Sequence, residues 1–270
     1  MQPYFSVIMP TFNRSYVVWK SILSLQLQTF YDWELIVVDD GSTDSTKRVI
    51  EEFQDNRIKY YYQDNGGPSK ARNTGLKHSI GKYIAYLDSD NTYYSDFLKT
   101  FYLYSLNEPE IKIWYCGYNH TTYERNRRGK WGLVANRIKN KGQFSEEDIK
   151  DFNGTDTNTI VHKNTITNRI GGWDENCCWL EDWDFFVRLC LEYPNEYKYI
   201  AKILVDYRQV HGKGTDAICG SYRENIQKEM NASKYLFDKW KDHKSVDIRK
   251  FLYEKDKFSS EKARTNINMT

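Results

Sequence analysis

Residues 34–44 read Glu34-Leu-Ile-Val-Val-Asp-Asp-Gly-Ser-Thr-Asp44, an aliphatic run that ends in an acidic turn. A short apolar run bounded by turn residues is typical of a buried strand. Comparable strand-like runs stand at residues 5–9, 57–62 and 83–87, and the segments between them have helical spacing. This alternation predicts an α/β fold, with a mixed, mostly parallel sheet flanked by helices.

Polar residues follow each of these predicted strands. Ligands of such sheets bind outside the carboxyl ends of the strands, so chemistry is expected there. The four strand ends carry Pro10-Thr-Phe-Asn-Arg14, Asp39-Asp-Gly-Ser-Thr-Asp44, Gln63-Asp-Asn-Gly-Gly-Pro-Ser69 and Asp88-Ser-Asp90.

The pair Asp88 and Asp90 is the strongest single feature. Mg²⁺ and Mn²⁺ are held by a few carboxylates together with substrate phosphate oxygens. An isolated D-x-D is common by chance and usually forms a solvated turn. Here a second acidic strand end, at Asp39 and Asp40, adds repulsion that a cation or hydrogen-bond donors must offset. We therefore predict a metal or cationic-ligand site.

Three further segments have both a chemical and a structural interpretation. Arg72 lies at the start of a helix, where it could donate to a nucleotide or sit exposed in the first turn. His211 could be a third metal ligand, although most single histidines are not. Asp182, beside Trp183, could act as a general base, while the helix dipole alone would also explain an acidic first turn. Asp184 and Arg188 have the spacing of a surface ion pair.

Composition narrows the class of protein. The 270 residues contain 39 Lys plus Arg and 37 Asp plus Glu, so nothing suggests nucleic-acid binding. The five cysteines lack any C-x-x-C pair, which argues against a disulfide framework or a zinc knuckle. No apolar run approaches the roughly 18 residues of a membrane span, and we expect a soluble, cytoplasmic protein.

Two segments are less regular. Residues 124–143 are rich in Arg, Asn and Gly, and we expect a mobile loop there that orders on ligand binding as a lid. A solvated insertion without a role is the alternative. From residue 221 onward the pattern is helical and polar.

The motifs taken together resemble glycosyltransferase family 2, the inverting enzymes of the GT-A fold. The resemblance covers roughly residues 4–212 and is carried by the segments Ser6-Val-Ile-Met-Pro-Thr-Phe-Asn-Arg14, Gln28-Thr-Phe30, Trp33-Glu-Leu-Ile-Val-Val-Asp-Asp-Gly-Ser-Thr-Asp44, Ala71-Arg-Asn-Thr-Gly75, Gly81-Lys-Tyr-Ile-Ala-Tyr-Leu-Asp-Ser-Asp90, Gly171-Gly-Trp-Asp174 and Glu181-Asp182. It implies a GT-A domain over residues 1–212, followed by a C-terminal helical extension and tail over residues 213–270.

The resemblance also implies a role for each site residue. The nucleotide would contact Pro10, Thr11, Asn13, Asp40, Arg72 and Asp88, with Asp40 accepting from a uracil-type N–H. Asp90 would ligate Mn²⁺ or Mg²⁺, with His211 as a further ligand. Asp182 would be the catalytic base, with Glu181 as the reserve candidate. The acceptor would lie near Asp156, Trp173 and Trp183.

The implied function is transfer of a single sugar, because the Q-x-x-R-W motif of processive synthases is absent. The donor would be a UDP-sugar and the acceptor a glycan or glycoconjugate hydroxyl. Asn91 replaces a further Asp that many members have. The C-terminal segment could cap the domain, dimerise or touch a membrane surface. Two other functions remain open: a sugar nucleotidyltransferase, and a non-catalytic nucleotide-sugar binding protein.

Overall fold

A computed structural model of the protein describes residues 2–125, 131–139, 156–177, 180–211 and 222–243. In chain order, the strands are β1 Phe5–Thr11, β2 Trp33–Asp39, β3 Ile58–Tyr62, β4 Tyr83–Tyr86, β5 Thr92–Tyr93, β6 Ile113–Arg125, β7 Trp131–Lys139, β8 Ile160–Lys163 and β9 Tyr197–His211. The α-helices are α1 Val18–Gln26, α2 Thr46–Glu51, α3 Pro68–His78, α4 Phe97–Asn107, α5 Thr167–Ile170, α6 Glu181–Glu192 and α7 Tyr222–Trp240. Short 3-10 helices span Thr157–Thr159 and Asn164–Ile166.

The strands of the described residues form one sheet in the order β3-β2-β1-β4-β8-β6-β9-β5, with β7 paired to β6. Strands β3, β2, β1 and β4 are parallel to one another. β8 is antiparallel to both β4 and β6, and β9 runs parallel to β6. The predicted mixed, mostly parallel α/β sheet is confirmed. The carboxyl ends of β1, β2 and β4 lie at one edge of it.

The core has a layer on each face of this sheet, because alternate residues of a strand point to opposite faces. In β1, Phe5, Val7 and Met9 pack into the layer that α1 and α4 cover. Ile8 points into the other layer, which α6 and α7 cover. Both layers are apolar and include many aromatic rings, so the central strands of the sheet are buried on both sides.

Helix α3 packs closely on β1, near the carboxyl end of that strand. A Cβ at Gly75 would lie 2.4 Å from Cγ2 of Ile8, so only glycine permits this approach. The contact holds α3 against the sheet near the strand ends. Arg72 stands one turn earlier on the same helix.

The expectation of an irregular loop over residues 124–143 is wrong for its central part. Residues 131–139 form β7, which pairs antiparallel with the long strand β6 through a register shift between Thr122 and Tyr123. Backbone pairing along β6 outweighs the polar, glycine-containing composition that suggested a loop. Residues 126–130 and 140–143 lie outside the described residues, and the lid remains a prediction there.

The described part of the C-terminal segment caps the core. On α7, Leu236 and Trp240 are buried in the same layer as Trp183 and Phe186 of α6. Among the described residues, no helix combines the length and the apolar character needed to span a bilayer.

The burial of Asp184 differs from the surface position that was predicted. It pairs with Nε of Arg188 at 2.8 Å, as its spacing predicts, but its side chain is fully buried. Lys239 and Trp240 of α7 cover it, with Nζ and Nε1 at 2.7 Å and 3.1 Å from its carboxylate. The ion pair is therefore part of the interface between two helices and not of the surface.

Candidate active site

Two carboxylates follow β4, at the sheet edge where β1 and β2 also end. Asp88 accepts hydrogen bonds from Nη2 of Arg72 and from Nδ2 of Asn158, both at 3.0 Å. The Asp88 backbone N–H also donates to Oδ1 of Asn158 at 2.6 Å. The Asp90 side chain is 31% exposed, and its Oδ2 lies 3.7 Å from Nε of Arg14. Asp88 is thus fixed by its neighbours, whereas the carboxylate of Asp90 is partly open to solvent.

Arg72 joins this strand end to the start of α6. Its side chain is 6% exposed, and Nη1 donates to Oε1 of Glu181 at 2.9 Å. The guanidinium carbon lies 4.5 Å from the ring centroid of Trp173. Burial by itself would lower the pKa of Arg72, but the charges of Asp88 and Glu181 raise it above its usual value. A permanent cation therefore holds two acidic segments together.

The start of α6 presents Glu181 and Asp182 at the positive end of the helix dipole. Leu180, directly before them, has φ of 63°, a left-handed conformation that non-glycine residues adopt at a cost and that is frequent at functional sites. Oδ1 of Asp182 accepts from the backbone N–H of Trp183 at 2.8 Å. The sequence does not show which of Glu181 and Asp182 points into the site, and in the structure Glu181 is the one that binds Arg72. Asp182 is half-buried beside it.

Asp156 lies next to Asp88 through a shared partner, Asn158. Asp156 accepts from the backbone N–H and from Nδ2 of Asn158, at 2.9 Å and 2.5 Å. Burial, followed by the negative charge of Asp88, raises the pKa of Asp156 to about 7, against the hydrogen bonds from Asn158. Asn158 was not predicted as a site residue. Its bridge joins positions 70 apart in the chain, for which a single sequence contains no signal.

Asp40 holds the turn that leads into α3. Its Oδ1 accepts from Nε2 of Gln63 at 2.6 Å and from the backbone N–H of Gly66 at 3.0 Å, and its Oδ2 accepts from Gly67 at 2.8 Å. Gly67 has φ of +89°, which glycine tolerates and other residues rarely do. A carboxylate offers about four acceptor positions, so one more hydrogen bond fits on Asp40.

The other predicted nucleotide contacts are at the end of β1. Oδ1 of Asn13 accepts from the backbone N–H groups of Thr43 and Asp44, at 2.8 Å and 3.3 Å, and so joins the loops after β1 and β2. Thr11 is buried, and in the part of the chain that the structure describes its hydroxyl has no hydrogen-bond partner. Pro10 is half-buried beside it.

The expectation that Trp173 and Trp183 face the acceptor does not agree with their positions. Both side chains are only 2% exposed and belong to the apolar layer under α6. Trp183 packs edge-on against Trp240, with ring centroids 6.2 Å apart. Their apolar area is used in the core, which leaves no ring face for a sugar.

The carboxylates of the site suit a metal ion whose remaining ligands come from a substrate. Among the described residues, no group of three or more His, Cys, Asp or Glu side chains is arranged to hold an ion. His211 ends β9, and its side chain is outside what the structure describes. Metals that bind nucleotides commonly use one or two carboxylates, with phosphate oxygens completing the shell. The partly exposed carboxylate of Asp90, beside Asp88, matches that mode.

The fold is of the GT-A type. The structure resembles that of TarS residues 1–349 of S. aureus, solved with UDP-GlcNAc, with a TM-score of 0.63 at 22% identity over 86% of this chain and 71% of that one. It also resembles the mannosyltransferase PcManGT of Pyrobaculum calidifontis, solved with GDP-Man and Mn²⁺, with a TM-score of 0.58 at 17% identity over 88% and 65% of the two chains.

The chain belongs to glycosyl transferase family 2, whose sequence model matches residues 6–167. An uncharacterized glycosyltransferase of Rickettsia conorii is 38% identical over 186 residues, which are 65% of this chain and 29% of that protein. The UDP-Glc:α-D-GlcNAc-diphosphoundecaprenol β-1,3-glucosyltransferase WfgD of Escherichia coli is 42% identical over 95 residues, or 35% and 38% of the two chains. This chain thus spans well under half the length of these relatives.

Proposed function

We propose that this chain is an inverting, metal-dependent glycosyltransferase that transfers one sugar from a UDP-sugar to an acceptor hydroxyl. The observation that carries the proposal is the bridge of Arg72 between Asp88 and Glu181. It brings the acidic end of β4, where a nucleotide-sugar would bind, to the start of α6, where Asp182 lies. The proposed nucleotide-sugar site and the candidate base thus lie at the same edge of the sheet.

A divalent cation fits this proposal. Mn²⁺ or Mg²⁺ held by Asp90, and by His211 as the sequence suggests, would neutralise the diphosphate and stabilise it as it leaves. Without such a cation the diphosphate would be repelled by Asp88 and Asp90. The mannosyltransferase of Pyrobaculum, whose structure contains Mn²⁺, supports a metal-dependent donor site.

Asp182 is the base that we propose for the acceptor. Its carboxylate would take the proton of the incoming hydroxyl, whose oxygen then bonds to the anomeric carbon as the bond to the diphosphate breaks. Attack from the face opposite the diphosphate inverts the configuration. Glu181 fits this role less well, because its Oε1 already accepts from Arg72 at 2.9 Å.

The names of the relatives support the donor class that we propose. TarS was solved with UDP-GlcNAc and the relative from E. coli is named for UDP-Glc, so a UDP-sugar is the preferred donor, with Asp40 as its uracil acceptor. The acceptor we propose is a hydroxyl of a glycan or glycoconjugate. Asp156, which Asn158 holds beside Asp88, would lie near it.

The test is to incubate the protein with UDP-, GDP- and dTDP-sugars in Mn²⁺ and to measure the nucleoside diphosphate released by slow donor hydrolysis. Release from a UDP-sugar, lost in Asp90→Asn, supports the proposal. Formation of a nucleotide-sugar from a nucleoside triphosphate and a sugar phosphate would identify a nucleotidyltransferase instead. Nucleotide binding with neither reaction would identify a binding protein.

A further inference from the structure

A chain of buried hydrogen bonds lies behind the site. The indole N–H of Trp173 donates to Oη of Tyr86 at 3.3 Å. Oη of Tyr86 lies 3.0 Å from Nε2 of His162, and Nδ1 of His162 lies 2.9 Å from the carbonyl oxygen of Lys163. The side chains of Tyr86 and His162 are fully buried. None of the catalytic roles proposed above uses them.

The direction of each hydrogen bond in this chain is determined. A carbonyl oxygen only accepts, so Nδ1 of His162 carries the proton. Burial lowers the pKa of His162 to about 4, so the ring is neutral near pH 7 and its Nε2 is an acceptor. Tyr86 must therefore donate to His162, and the lone pairs of its oxygen are available to Trp173. Each member has one role, and no reversed arrangement satisfies all of them.

Trp173 supports the guanidinium of Arg72. Its ring stacks on Phe185, with centroids 4.0 Å apart and planes inclined by 3°. Arg72 lies over the ring at 4.5 Å, and since Phe185 occupies one face, the guanidinium must occupy the other. Stacking alone is weakly directional and allows the ring to shift parallel to Phe185. The hydrogen bond to Tyr86, which meets Trp173 edge-on, limits that shift.

We infer that Tyr86 and His162 are positioning residues, which fix the indole of Trp173 and thereby hold Arg72 between Asp88 and Glu181. The inference rests on the proposed function for the importance of those two carboxylates. The hydrogen bonds of the Tyr86 and His162 side chains lead to the site through Trp173 and Arg72. Loss of the Tyr86 hydroxyl leaves the indole N–H without its acceptor, allows the ring to shift and loosens the guanidinium that joins β4 to α6.

The first test compares Tyr86→Phe with Tyr193→Phe. Tyr193 lies in the same apolar layer, is 4% exposed, and uses its hydroxyl on a backbone carbonyl, that of Ile166 at 3.5 Å. We expect Tyr86→Phe to lower kcat about 10-fold or more, because small misplacements in an active site have effects of that order, while Tyr193→Phe retains the wild-type kcat. Equal kcat values for Tyr86→Phe and the wild type would overturn the inference.

A second pair of variants separates positioning from folding. Glutamine at 162 retains an acceptor near the place of Nε2, whereas leucine has similar bulk and no acceptor. We expect His162→Gln to retain most of the kcat and His162→Leu to lose as much as Tyr86→Phe. Similar kcat values for the two would overturn the inference, and this comparison serves even if Tyr86→Phe does not fold.

The last measurement does not depend on transferase activity. In ¹⁵N NMR spectra of the full chain, we expect His162 to be the neutral Nδ1–H tautomer between pH 5 and 8, and the guanidinium signals of Arg72 to shift in Tyr86→Phe but not in Tyr193→Phe. A Nε2–H tautomer or unchanged Arg72 signals would refute the inference. If both NMR results are as expected but no donor is turned over, the proposed function fails and the positioning role of Tyr86 and His162 stands.

Discussion

Nη1 of Arg72 donates to Oε1 of Glu181 across 2.9 Å, a contact that joins α3 to α6 over 109 positions of the chain. Because Nη2 of the same guanidinium binds Asp88, the two acidic segments have one common cation. Lysine carries its donors on a single nitrogen and lacks the fixed fork by which two guanidinium nitrogens reach two separate carboxylates. The geometry of the site therefore depends on arginine at this position.

We predict that Arg72→Lys lowers the free energy of unfolding by about 1–3 kcal/mol, because one of the two partly buried carboxylates loses its charged hydrogen-bond donor. Arg169→Lys is the matched control. Arg169 pairs with Glu192 at 3.2 Å on the surface, where its side chain is 69% exposed, and such pairs contribute little. Urea denaturation of both variants measures the difference, and equal losses would show that the Arg72 bridge has no special structural role.

The two acids at the start of α6 should respond differently to neutralisation. Asp182→Asn should reduce turnover by roughly 10² to 10⁴-fold with UDP affinity nearly unchanged, because only the base is removed. Glu181→Gln should reduce stability as well, since the partner of Arg72 loses its charge. Steady-state kinetics, calorimetry and the anomeric configuration of the product by NMR are the readouts. A retained configuration would reject single displacement, and an active Asp182→Asn with an inactive Glu181→Gln would move the base by one residue.

Asp156 should make stability depend on pH. Its pKa is raised to about 7 in the fold, above the ordinary value of 3.8, so the folded state holds a proton that the unfolded state has lost. Its contribution to stability is complete below about pH 4 and is lost as the pH rises toward 7. Asp156→Asn keeps the acceptor for Asn158 and removes the charge. We expect it to stabilise the protein by about 1–3 kcal/mol at pH 8 and not at pH 4.

Thermal denaturation at the two pH values, without nucleotide or metal, measures this effect. Asp96→Asn is the control, because Asp96 is half exposed and pairs with Lys202 at 3.8 Å. A stabilisation by Asp156→Asn of equal size at pH 4 and pH 8 would contradict the assignment.

Lys239 should determine how α7 is held. Its Nζ lies 2.5 Å from Asp174 and 2.7 Å from Asp184. Burial would raise the pKa of Asp174, but the hydrogen bonds from Lys239 and Tyr235 lower it to about 2. Lys239→Met leaves Asp174 without its cation and Asp184 with Arg188 alone, and we expect a loss of about 1–3 kcal/mol in the free energy of unfolding.

Lys241→Met is the control for α7. Lys241 pairs with Asp238 at 3.2 Å on the solvent side, with both side chains more than 40% exposed. Its replacement should change stability by less than about 0.5 kcal/mol. Equal effects of the two substitutions in chemical denaturation would mean that the ion pairs of Lys239 with Asp174 and Asp184 do not hold α7 in place.

The sequence predicted those parts of the fold that depend on local pattern. The strands with aliphatic runs, and the acidic turns that follow them, are where hydrophobic periodicity and turn residues predict them. β7 was missed because it lies within a stretch rich in Arg, Asn and Gly and because its pairing with β6 is a tertiary effect. The burial of Asp184 was missed because Trp240, which covers it, is 56 positions away.

The site was predicted as a set of residues and not as a network. Asp88, Asp90, Arg72, Glu181 and Asp182 were all identified from strand ends and from a family resemblance. The contacts that connect them, through Asn158 and Trp173, join positions far apart in the chain, and local pattern does not encode such contacts. For the same reason Trp173 was expected at the acceptor and is found beneath Arg72.

The binding of UDP, measured by calorimetry with Mn²⁺ and with a chelator, tests the central claim most directly. Asp90→Asn is compared with the wild type, and Asp96→Asn, a half-exposed surface aspartate, is the control. Because the diphosphate would lie beside Asp88 and Asp90, we predict that UDP binds the wild type and Asp96→Asn in Mn²⁺, and at least about 10-fold more weakly in chelator or to Asp90→Asn. Unchanged UDP affinity in chelator and in Asp90→Asn would contradict the account.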